Sequence, residues 1–336
     1  MNKELTYNCH DNRSLLKTQE PLVSIIINNY NYGSHLRQAI DGALNQTYKN
    51  VEIIVVDDGS VDNSRDVIAS YGNQIIPILK ENGGQASALN AGFKASKGDI
   101  ICLLDSDDIF LSNKAATIVE WFQQNPDIDW AFNESFPMTS EDISQLDFES
   151  IVNKNTNLSH VEKLSLIDFR NNIISAELPT FTPSTSNLCF SRQLLEKIFP
   201  LPEIKGFSGL AICDLYLKYV AVGIGRGYSS KKNLGIFRIH SNNRYTTQEI
   251  NQKRSIDAEI LMMSGYCMLV NFPSFIQLSQ KLFSKGWANY LRSNNHKIDY
   301  SDYIKEYLAK ISLIDRVKVL FITFYYFIKL GYMDLI

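Results

Sequence analysis

Three apolar runs, each followed by a polar cluster and then by a helical pattern, constrain the fold of this chain most. The runs are Val23–Ile27, Val51–Val56 and Ile100–Leu104. A short, nearly continuous apolar run is typical of a strand buried on both faces of a parallel sheet. After the first run, apolar residues recur at helical spacing, at Leu36, Ile40, Ala43 and Leu44. This alternation of strands and helices predicts an α/β fold with a mostly parallel, doubly wound sheet.

The rest of the chain repeats the alternation less regularly. Further helices are predicted over Ser64–Tyr71, Gln85–Ala95, Lys114–Gln124, Arg192–Phe199 and Asp214–Val222. Further strands are predicted over Ile75–Leu79, Asp129–Phe132, Thr185–Phe190 and Leu234–His240. Residues 139–160 are polar and predict a loop, and the chain is mostly helical from about Gln248 onward.

The length of 336 residues is enough for one large domain with an appendage. We expect a flexible leader at residues 1–20 and a main domain at 21–245. That domain divides into a regularly alternating half, 21–110, and a less regular half, 111–245. A C-terminal helical extension follows at 246–336.

Composition narrows the class of protein. The formal net charge is −3, which gives no reason to expect nucleic acid as a partner. The cysteines are odd in number and scattered, without zinc spacing: Cys9, Cys102, Cys189, Cys213 and Cys267. No secretory signal and no run of roughly 18–20 apolar residues is present. We therefore expect a cytoplasmic protein.

Two acidic clusters follow predicted strands: Asp57-Asp58 and Asp105-Ser106-Asp107-Asp108. Ligands of open α/β sheets bind beyond the carboxyl ends of the strands. Carboxylates gathered there repel one another, and a hard divalent cation such as Mg²⁺ or Mn²⁺, shared with substrate phosphates, compensates. The clusters therefore indicate a diphosphate-bearing substrate. Alternatively, the first is an ordinary turn and the second a helix N-cap.

The order and spacing of several motifs resemble family 2 glycosyltransferases. The matching stretches lie within residues 21–110 and weaker ones continue to about residue 245. They are Pro21-Leu-Val-Ser-Ile-Ile-Ile-Asn-Asn-Tyr-Asn31, Leu44-Asn-Gln-Thr-Tyr48, Val55-Val-Asp-Asp-Gly-Ser-Val-Asp62, Asn82-Gly-Gly with Asn90-Ala-Gly92, and Leu103-Leu-Asp-Ser-Asp-Asp108. The resemblance implies a glycosyltransferase A-type fold that binds a nucleotide-sugar. Residues 21–245 would then be the catalytic domain, with 21–110 as its nucleotide-sugar-binding half and 111–245 as its acceptor half.

The resemblance also implies roles around the nucleotide base. Tyr30 and Asn31 would flank the base, and Asp58, or its neighbour Asp57, would accept a hydrogen bond from a uracil-type ring. The family usually has proline where this chain has Asn28.

Further implied roles concern the ribose, the diphosphate and the metal. Asn82, Gly84 and Asn90 would shape the wall near the ribose and diphosphate. Asp105 and Asp107 form the D-x-D pair, with Asp105 toward the ribose or donor sugar and Asp107 on the metal.

Inverting transfer needs a carboxylate to take the proton of the acceptor hydroxyl. The family commonly supplies it from a Glu-Asp pair that opens a helix, and here Cys213-Asp214 stands in the corresponding stretch. We take Asp214 as the general base, the alternative being that it only favours the first helical turn. Cys213 is expected to be a small buried residue.

A late segment, Phe237-Arg238-Ile239-His240, resembles the family's Tyr-Arg-x-His stretch. Strand alternation puts Arg238 and His240 on one face, where they could reach the diphosphate or the metal. His240 is equally compatible with a hydrogen-bonded structural role.

The segment Val317–Leu330 is densely aromatic and aliphatic, yet too short to span a bilayer. It is expected to pack on the catalytic domain or in a homodimer. The alternative is an interfacial helix on the inner face of the membrane, with Arg316, Lys318 and Lys329 near lipid headgroups.

These features predict inverting, metal-dependent transfer of a sugar, from a UDP-sugar by preference, to the hydroxyl of a glycan or lipid-linked acceptor. Such a reaction would serve polysaccharide or glycoconjugate synthesis. One alternative is a nucleotidyltransferase, although Asn28-Asn29-Tyr30-Asn31 is not the Gly-rich basic loop usual there. The other is a non-catalytic nucleotide-sugar-binding protein.

Overall fold

The computed structural model describes residues 20–144, 164–204, 209, 211–243, 248–293 and 298–333. The predicted leader, apart from Glu20, lies outside these residues, as does most of the predicted loop at 139–160. Within the described residues the strands form an eight-stranded sheet.

The sheet has the strand order β3-β2-β1-β4-β7-β6-β8-β5. Its strands are β1 (Val23–Asn29), β2 (Val51–Asp58), β3 (Ile76–Lys80), β4 (Ile100–Asp105), β5 (Ile109–Phe110), β6 (Trp130–Thr139), β7 (Leu188–Ser191) and β8 (Gly227–Ile239). The first four strands are parallel, β7 is antiparallel to β4 and β6, β8 is parallel to β6, and β5 is antiparallel to β8. The mostly parallel sheet is thus confirmed.

The helices follow the predicted pattern closely in the first half and extend it in the second. They are α1 (Gly33–Leu44), α2 (Ser64–Ala69), α3 (Gln85–Ala95), α4 (Lys114–Gln124), α5 (Ser140–Ser144), α6 (Arg170–Ile174), α7 (Arg192–Leu195), α8 (Asp214–Ile224), α9 (Ile250–Asn271), α10 (Ile276–Arg292), α11 (Ser301–Lys310) and α12 (Leu313–Met333).

Alternation along the strands divides the core into two layers. Ile25 and Leu104 pack with α1 and α4 on one side of the sheet. Their neighbours Ile26 and Leu103 pack with α3 and α8 on the other side. Because successive side chains of a strand point to opposite faces, strands that are apolar throughout must be covered on both faces.

The C-terminal helices share the second of these layers. Leu261, Phe283, Tyr307 and Val319, from α9 to α12, belong to the same buried cluster as Ile26. The helical extension therefore completes the core under one face of the sheet.

One face of α12 packs inward while the other is exposed. Val319 and Thr323 are buried, and the Ser284 hydroxyl on α10 donates to the Val319 carbonyl oxygen at 3.2 Å. The exposed face is apolar and carries Leu313, Ile314, Val317, Leu320, Phe321, Phe324, Tyr325, Ile328 and Tyr332. We refer to these nine side chains as the outer face of α12. None of the described helices is long and apolar enough to cross a bilayer.

Several elements differ from the sequence prediction. Strand β6 continues to Thr139 and α5 covers Ser140–Ser144, so the start of the predicted loop at 139–160 is regular structure, and α7 ends at Leu195 rather than Phe199. Strand β8 begins at Gly227 rather than Leu234, because pairing with β6 extends it through the polar Lys231 and Lys232. Residues Thr185–Asn187 form a 3-10 turn before β7.

Candidate active site

The carboxyl ends of β1, β2 and β4 lie side by side. Asn28 is in register with Asp105 on β4, and Asn29 is in register with Asp57 on β2. Asn28 Nδ2 donates to Asp105 Oδ1 at 2.9 Å, and Asn29 Nδ2 donates to Asp57 Oδ1 at 3.0 Å. Two consecutive asparagines thus hold the first carboxylate of each acidic cluster.

Asp58 organises the loop after β3. Its carboxylate accepts from Lys80 Nζ at 2.5 Å, from the Asn82 amide at 3.1 Å, and from the backbone N–H groups of Gly83 and Gly84 at 3.0 and 2.7 Å. Only 3% of Asp58 is exposed. The carboxylate therefore fixes the loop, and a base contact would add to four existing donors.

Two glycines, Gly59 in the turn after β2 and Gly84 in the loop after β3, allow the chain to pack closely here. Gly59 has a φ of +79°, and a Cβ there would lie 2.6 Å from the Asn82 backbone nitrogen. Gly84 has a φ of +86°, and a Cβ there would lie 2.7 Å from the Gly209 Cα. Both positions therefore combine a left-handed backbone with a close approach that a side chain would block.

Three carboxylates meet in the turn after β4. One ligand oxygen each of Asp105, Asp107 and Asp108 lies within 4.8 Å of the others. Burial and the charge of Asp107 raise the pKa of Asp105 to about 7, and burial raises the pKa of Asp108 well above its usual range. A cation in this turn would relieve the repulsion between the carboxylates.

Hydrogen bonds from Ser186 and Arg238 hold this turn on the side away from the cleft. Asp108 Oδ2 accepts from the Ser186 hydroxyl at 2.6 Å, and Asp108 Oδ1 accepts from the Arg238 backbone N–H at 3.0 Å. Arg238 Nε donates to the Asp107 carbonyl oxygen at 2.7 Å. Because both oxygens of the buried Asp108 are occupied, Asp105 and Asp107 are left to face a ligand.

The His240 imidazole lies against the carboxylate of Asp107, and two further aromatic rings pack around that imidazole. His240 Nε2 lies 3.1 Å from Asp107 Oδ2. The rings of Tyr32 and His35 lie 5.5 and 4.8 Å from the His240 ring, between centroids. Burial, followed by the charge of Arg238, lowers the pKa of His35 to about 4, so this imidazole is neutral near pH 7.

An open cleft of about 810 Å³ collects these groups. This volume is within the range of small-molecule binding sites. Of the residues singled out from the sequence, those lining the cleft are Tyr30, Asp58, Asn82, Gly84, Asp105, Asp107 and Asp214. Helix α9 forms part of the wall through Ile256, Asp257, Ile260 and Leu261.

Asp214 opens α8 at the edge of the cleft. The helix N-cap is Cys213, without a side-chain capping bond, and Asp214 Oδ1 accepts from the adjacent Leu215 N–H at 2.8 Å. Cys213 is 4% exposed, and burial raises its pKa well above the usual range. Cys213 is therefore a buried thiol, and the carboxylate beside it belongs to the cleft.

Five other predicted residues do not line the cleft. Asn31 has a φ of +59°, and its side chain accepts from the Val61 N–H at 2.8 Å. Asp57 is fully buried, and Arg65 Nε donates to it at 3.0 Å. These two residues shape the turns beside the cleft.

The other three predicted residues support the cleft from outside. The Asn90 side chain bonds to the Leu201 backbone, with Asn90 Oδ1 accepting from the Leu201 N–H at 2.7 Å. Arg238 is 2% exposed and lies behind the D-x-D turn. His240 contacts the carboxylate of Asp107, which itself lines the cleft.

Several residues of the site were not singled out from the sequence. Asn28 was noted only as a departure from the family's proline. Gln85 and Lys218 line the cleft. Ser186 contacts Asp108 in the D-x-D turn, and His35 contacts His240. A polar residue replacing proline was a usable signal for Asn28, whereas Ser186 had none because it is 81 positions from Asp105.

A sheet that ends in a D-x-D turn, beside a loop held by Asp58, defines the class of protein: a glycosyltransferase with the glycosyltransferase A-type fold. Residues 24–199 match the family described as Glycosyl transferase family 2. This chain belongs to that family.

Two bacterial glycosyltransferases are similar to this chain in sequence, and one solved structure is similar to it in fold. A glycosyltransferase of Nostoc sp., named as uncharacterized, is 30% identical over 286 residues, covering 81% of this chain and 83% of the relative. Glycosyltransferase GlyG of Streptococcus pneumoniae is 33% identical over 177 residues, covering 48% and 55%. The structure of S. aureus TarS 1–349 in complex with UDP-GlcNAc has a TM-score of 0.56 at 13% identity, covering 87% of this chain and 82% of that one.

Proposed function

We propose that this chain transfers a sugar, with inversion, from a nucleotide-sugar to an acceptor hydroxyl, in polysaccharide or glycoconjugate synthesis. The proposal depends above all on one observation: Asp105, Asp107 and Asp214 line the same cleft. Metal-directed diphosphate chemistry and general-base chemistry can therefore act on one bound substrate pair.

The donor end is assigned to the ends of β1, β2 and β4. Tyr30, Asp58 and Asn82 line the cleft around the proposed base position. UDP is the favoured nucleotide because the family resemblance assigns the uracil contact to Asp58. Asp105 faces the ribose or donor sugar. Asn31, Asp57 and Asn90 contribute by holding the surrounding turns.

The residues near the D-x-D turn fit a divalent cation. Asp107 Oδ2 and His240 Nε2 are 3.1 Å apart, close to the roughly 3 Å between adjacent ligands of one octahedral ion. A carboxylate with an imidazole suits Mn²⁺, and carboxylates with water suit Mg²⁺. Such an ion, when bound, offsets the charge that accumulates on the departing diphosphate. Arg238 keeps the turn in place for it.

Asp214 is proposed as the general base. It takes the proton of the acceptor hydroxyl as that oxygen attacks the anomeric carbon from the face opposite the diphosphate. Direct displacement of this kind forms no covalent enzyme intermediate, which is why the product is inverted. Cys213, although adjacent, is buried and needs no chemical role.

The test is a panel of UDP-, GDP- and dTDP-sugars with Mn²⁺ or Mg²⁺, scored by release of nucleoside diphosphate. We expect release from one donor, abolished by chelation and reduced at least 100-fold by Asp107→Ala. Asp214→Asn should bind that donor normally and lose transfer. Asp302→Asn is the matched control, since that carboxylate is 95% exposed on α11.

The same panel separates the competing functions. Donor binding without metal-dependent release, in the presence of candidate acceptors, would favour a non-catalytic binding protein. Pyrophosphate release from a nucleoside triphosphate would favour a nucleotidyltransferase. Wild-type transfer by Asp214→Asn would overturn the assignment of the base.

A membrane surface is proposed as the partner of the outer face of α12. The face has an aliphatic and phenylalanine centre, tyrosines beside it, and Lys318 and Lys329 at one margin. Residues 248–336 contain eleven lysines and arginines against eight carboxylates, in a chain whose net charge is −3. This gradation from apolar to aromatic to cationic suits an anionic bilayer surface. The protein is accordingly proposed to be cytoplasmic and peripheral on the membrane.

A further inference from the structure

One cationic side chain in the cleft forms neither a hydrogen bond nor a close ion pair with a described residue. Lys218 is the single lysine or arginine among the described residues that line the cleft. It is 5% exposed, and no hydrogen bond or ion pair to a described residue involves its ammonium group. Its nearest aromatic contact is the Tyr219 ring, 5.1 Å from Nζ to the centroid.

Such a group is costly unless something compensates it. Removing an ammonium from water is strongly unfavourable unless a counter-charge compensates it. Burial lowers the pKa of Lys218 although the charge of Asp214 opposes the shift, so the Asp214 carboxylate offsets the cost of burial only in part. Most of the side chain is enclosed while the residue still lines the cleft, so an anionic ligand in the cleft would complete the compensation.

The position of Lys218 indicates which ligand this is. Lys218 follows Asp214 by four residues on α8, so the two side chains lie on one helix face with their Cβ atoms about 5–6 Å apart. Helix α8 belongs to the layer that includes α9, whose residues also line the cleft. The donor diphosphate is already provided for by the D-x-D turn, which ends β4 in the parallel half of the sheet.

We propose that Lys218 is an acceptor-binding residue that pairs with an anionic group, a phosphate or a carboxylate, carried by the acceptor close to its reacting hydroxyl. This inference rests on the proposed transferase function and narrows it, because it selects negatively charged acceptors over neutral sugars. Asp214 takes the hydroxyl proton while Lys218 holds the neighbouring anion. The acidic lining of the rest of the cleft would repel an acceptor anion bound elsewhere.

The first test measures anion binding without donor, metal or turnover. Thermal unfolding of the full chain is followed in EDTA with increasing inorganic phosphate, or acetate, against chloride of equal ionic strength. Wild type should be stabilised progressively by phosphate, acetate or both, and the stronger of the two names the anion. Lys218→Met should lose this response, whereas Lys305→Met, a 77% exposed lysine on α11, should keep it. An equal response in Lys218→Met, or none in wild type, would overturn the proposal.

A second measurement tests the premise that burial of the Lys218 charge destabilises the protein when no anion is bound. Methionine matches the length of the lysine stem and removes a buried charge that Asp214 compensates only in part, so Lys218→Met should melt higher than wild type without anion, by about 2 °C or more. A lower midpoint would show that Lys218 stabilises the empty protein through a partner. Loss of nucleoside diphosphate binding in Lys218→Met would place the ammonium on the donor. Either result would overturn the assignment.

The two levels of the proposal fail separately. Phosphate stabilisation that depends on Lys218 can be observed even if no donor is ever hydrolysed. Conversely, donor transfer to a neutral sugar, undiminished by Lys218→Met, would leave the transferase function intact and remove the anionic acceptor.

Discussion

Asn28 and Asp105 face each other across β1 and β4, and their contact influences the charge state of the D-x-D turn. The hydrogen bond from Asn28 lowers the pKa of Asp105, but burial and the charge of Asp107 outweigh it. Proline, usual at this position in the family, has no side-chain donor. This chain therefore has an additional means of keeping Asp105 ionised for a cation.

The raised pKa of Asp105, about 7, has a consequence for stability in the absence of metal. An unfolded aspartate titrates near 3.9, so between pH 4 and 7 the folded protein binds more protons than the unfolded chain. The contribution of Asp105 to stability is thus fully present below about pH 4 and lost as the pH rises toward 7. Asp105→Asn, which cannot ionise, should exceed wild type in unfolding free energy by about 4 kcal/mol at pH 8 and match it near pH 4.

Chemical denaturation in EDTA at several pH values measures this difference. Asp302→Asn, at an exposed carboxylate, should follow wild type throughout. Added Mn²⁺ should raise the stability of wild type at pH 8 more than that of Asp105→Asn. A constant difference between Asp105→Asn and wild type across the pH range would contradict the raised pKa.

Residue chemistry was predictable where it depended on local order along the chain. Acidic residues directly after apolar strands had to gather at one edge of the sheet, and Asp58, Asp105 and Asp107 lie there. Ser186 and Lys218 could not be found in this way. The role of Ser186 depends on contacts across the fold, and that of Lys218 depends on its burial in the cleft; neither follows from the local sequence pattern.

At the scale of elements, patterning worked best for segments with one clear period. Helix α3 spans Gln85–Ala95, as predicted, because its apolar spacing has no competing strand pattern. The first part of β8 was missed because its side chains are polar, and pairing with β6 rather than hydrophobicity makes it a strand. An alternating hydrophobic pattern cannot identify a strand of mostly polar residues that is stabilised by pairing with an adjacent strand.

Helix α12 leads to a prediction at this scale. The full chain should sediment with vesicles rich in phosphatidylglycerol and much less with pure phosphatidylcholine, because the basic margin adds attraction to the apolar burial. Replacing Phe321 and Phe324, 70% and 62% exposed, by serine should weaken binding about 10-fold or more. Val61→Ser, at an 89% exposed apolar residue outside α12, serves as control.

Analytical ultracentrifugation separates the membrane from a second copy of the chain. A concentration-dependent dimer that the same two serine substitutions dissociate, without vesicle binding, would assign the outer face of α12 to a homodimer. Vesicle binding by a monomer would support the membrane surface.

At the scale of the whole molecule, the C-terminal helices and the sheet share a core. The sequence predicted a helical extension without indicating what it covers. Helical periodicity shows which side of a helix is apolar but not which distant surface it meets. Buried Met262 and Phe283 join Ile26 in one cluster, and α9 also lines the cleft.

A chain truncated after residue 245 should therefore not fold stably. It would expose the apolar surface that α9 and α10 cover, and the cleft would lose the wall that Ile256 and Ile260 provide. Circular dichroism melts and gel filtration should show loss of a cooperative transition and aggregation. A soluble fragment with a sharp melt would instead establish 21–245 as an autonomous domain.

With the outer face of α12 on a bilayer, as proposed, the membrane would also determine how the rate of reaction is controlled. An enzyme lying flat on a bilayer encounters a lipid-linked acceptor by diffusion in two dimensions, with its cleft at a constant height above the headgroups. Turnover would then follow the number of acceptors per unit area rather than per unit volume. Adding inert lipid would lower the surface density of the acceptor and slow the enzyme, even though the bulk concentrations of acceptor and enzyme stayed the same.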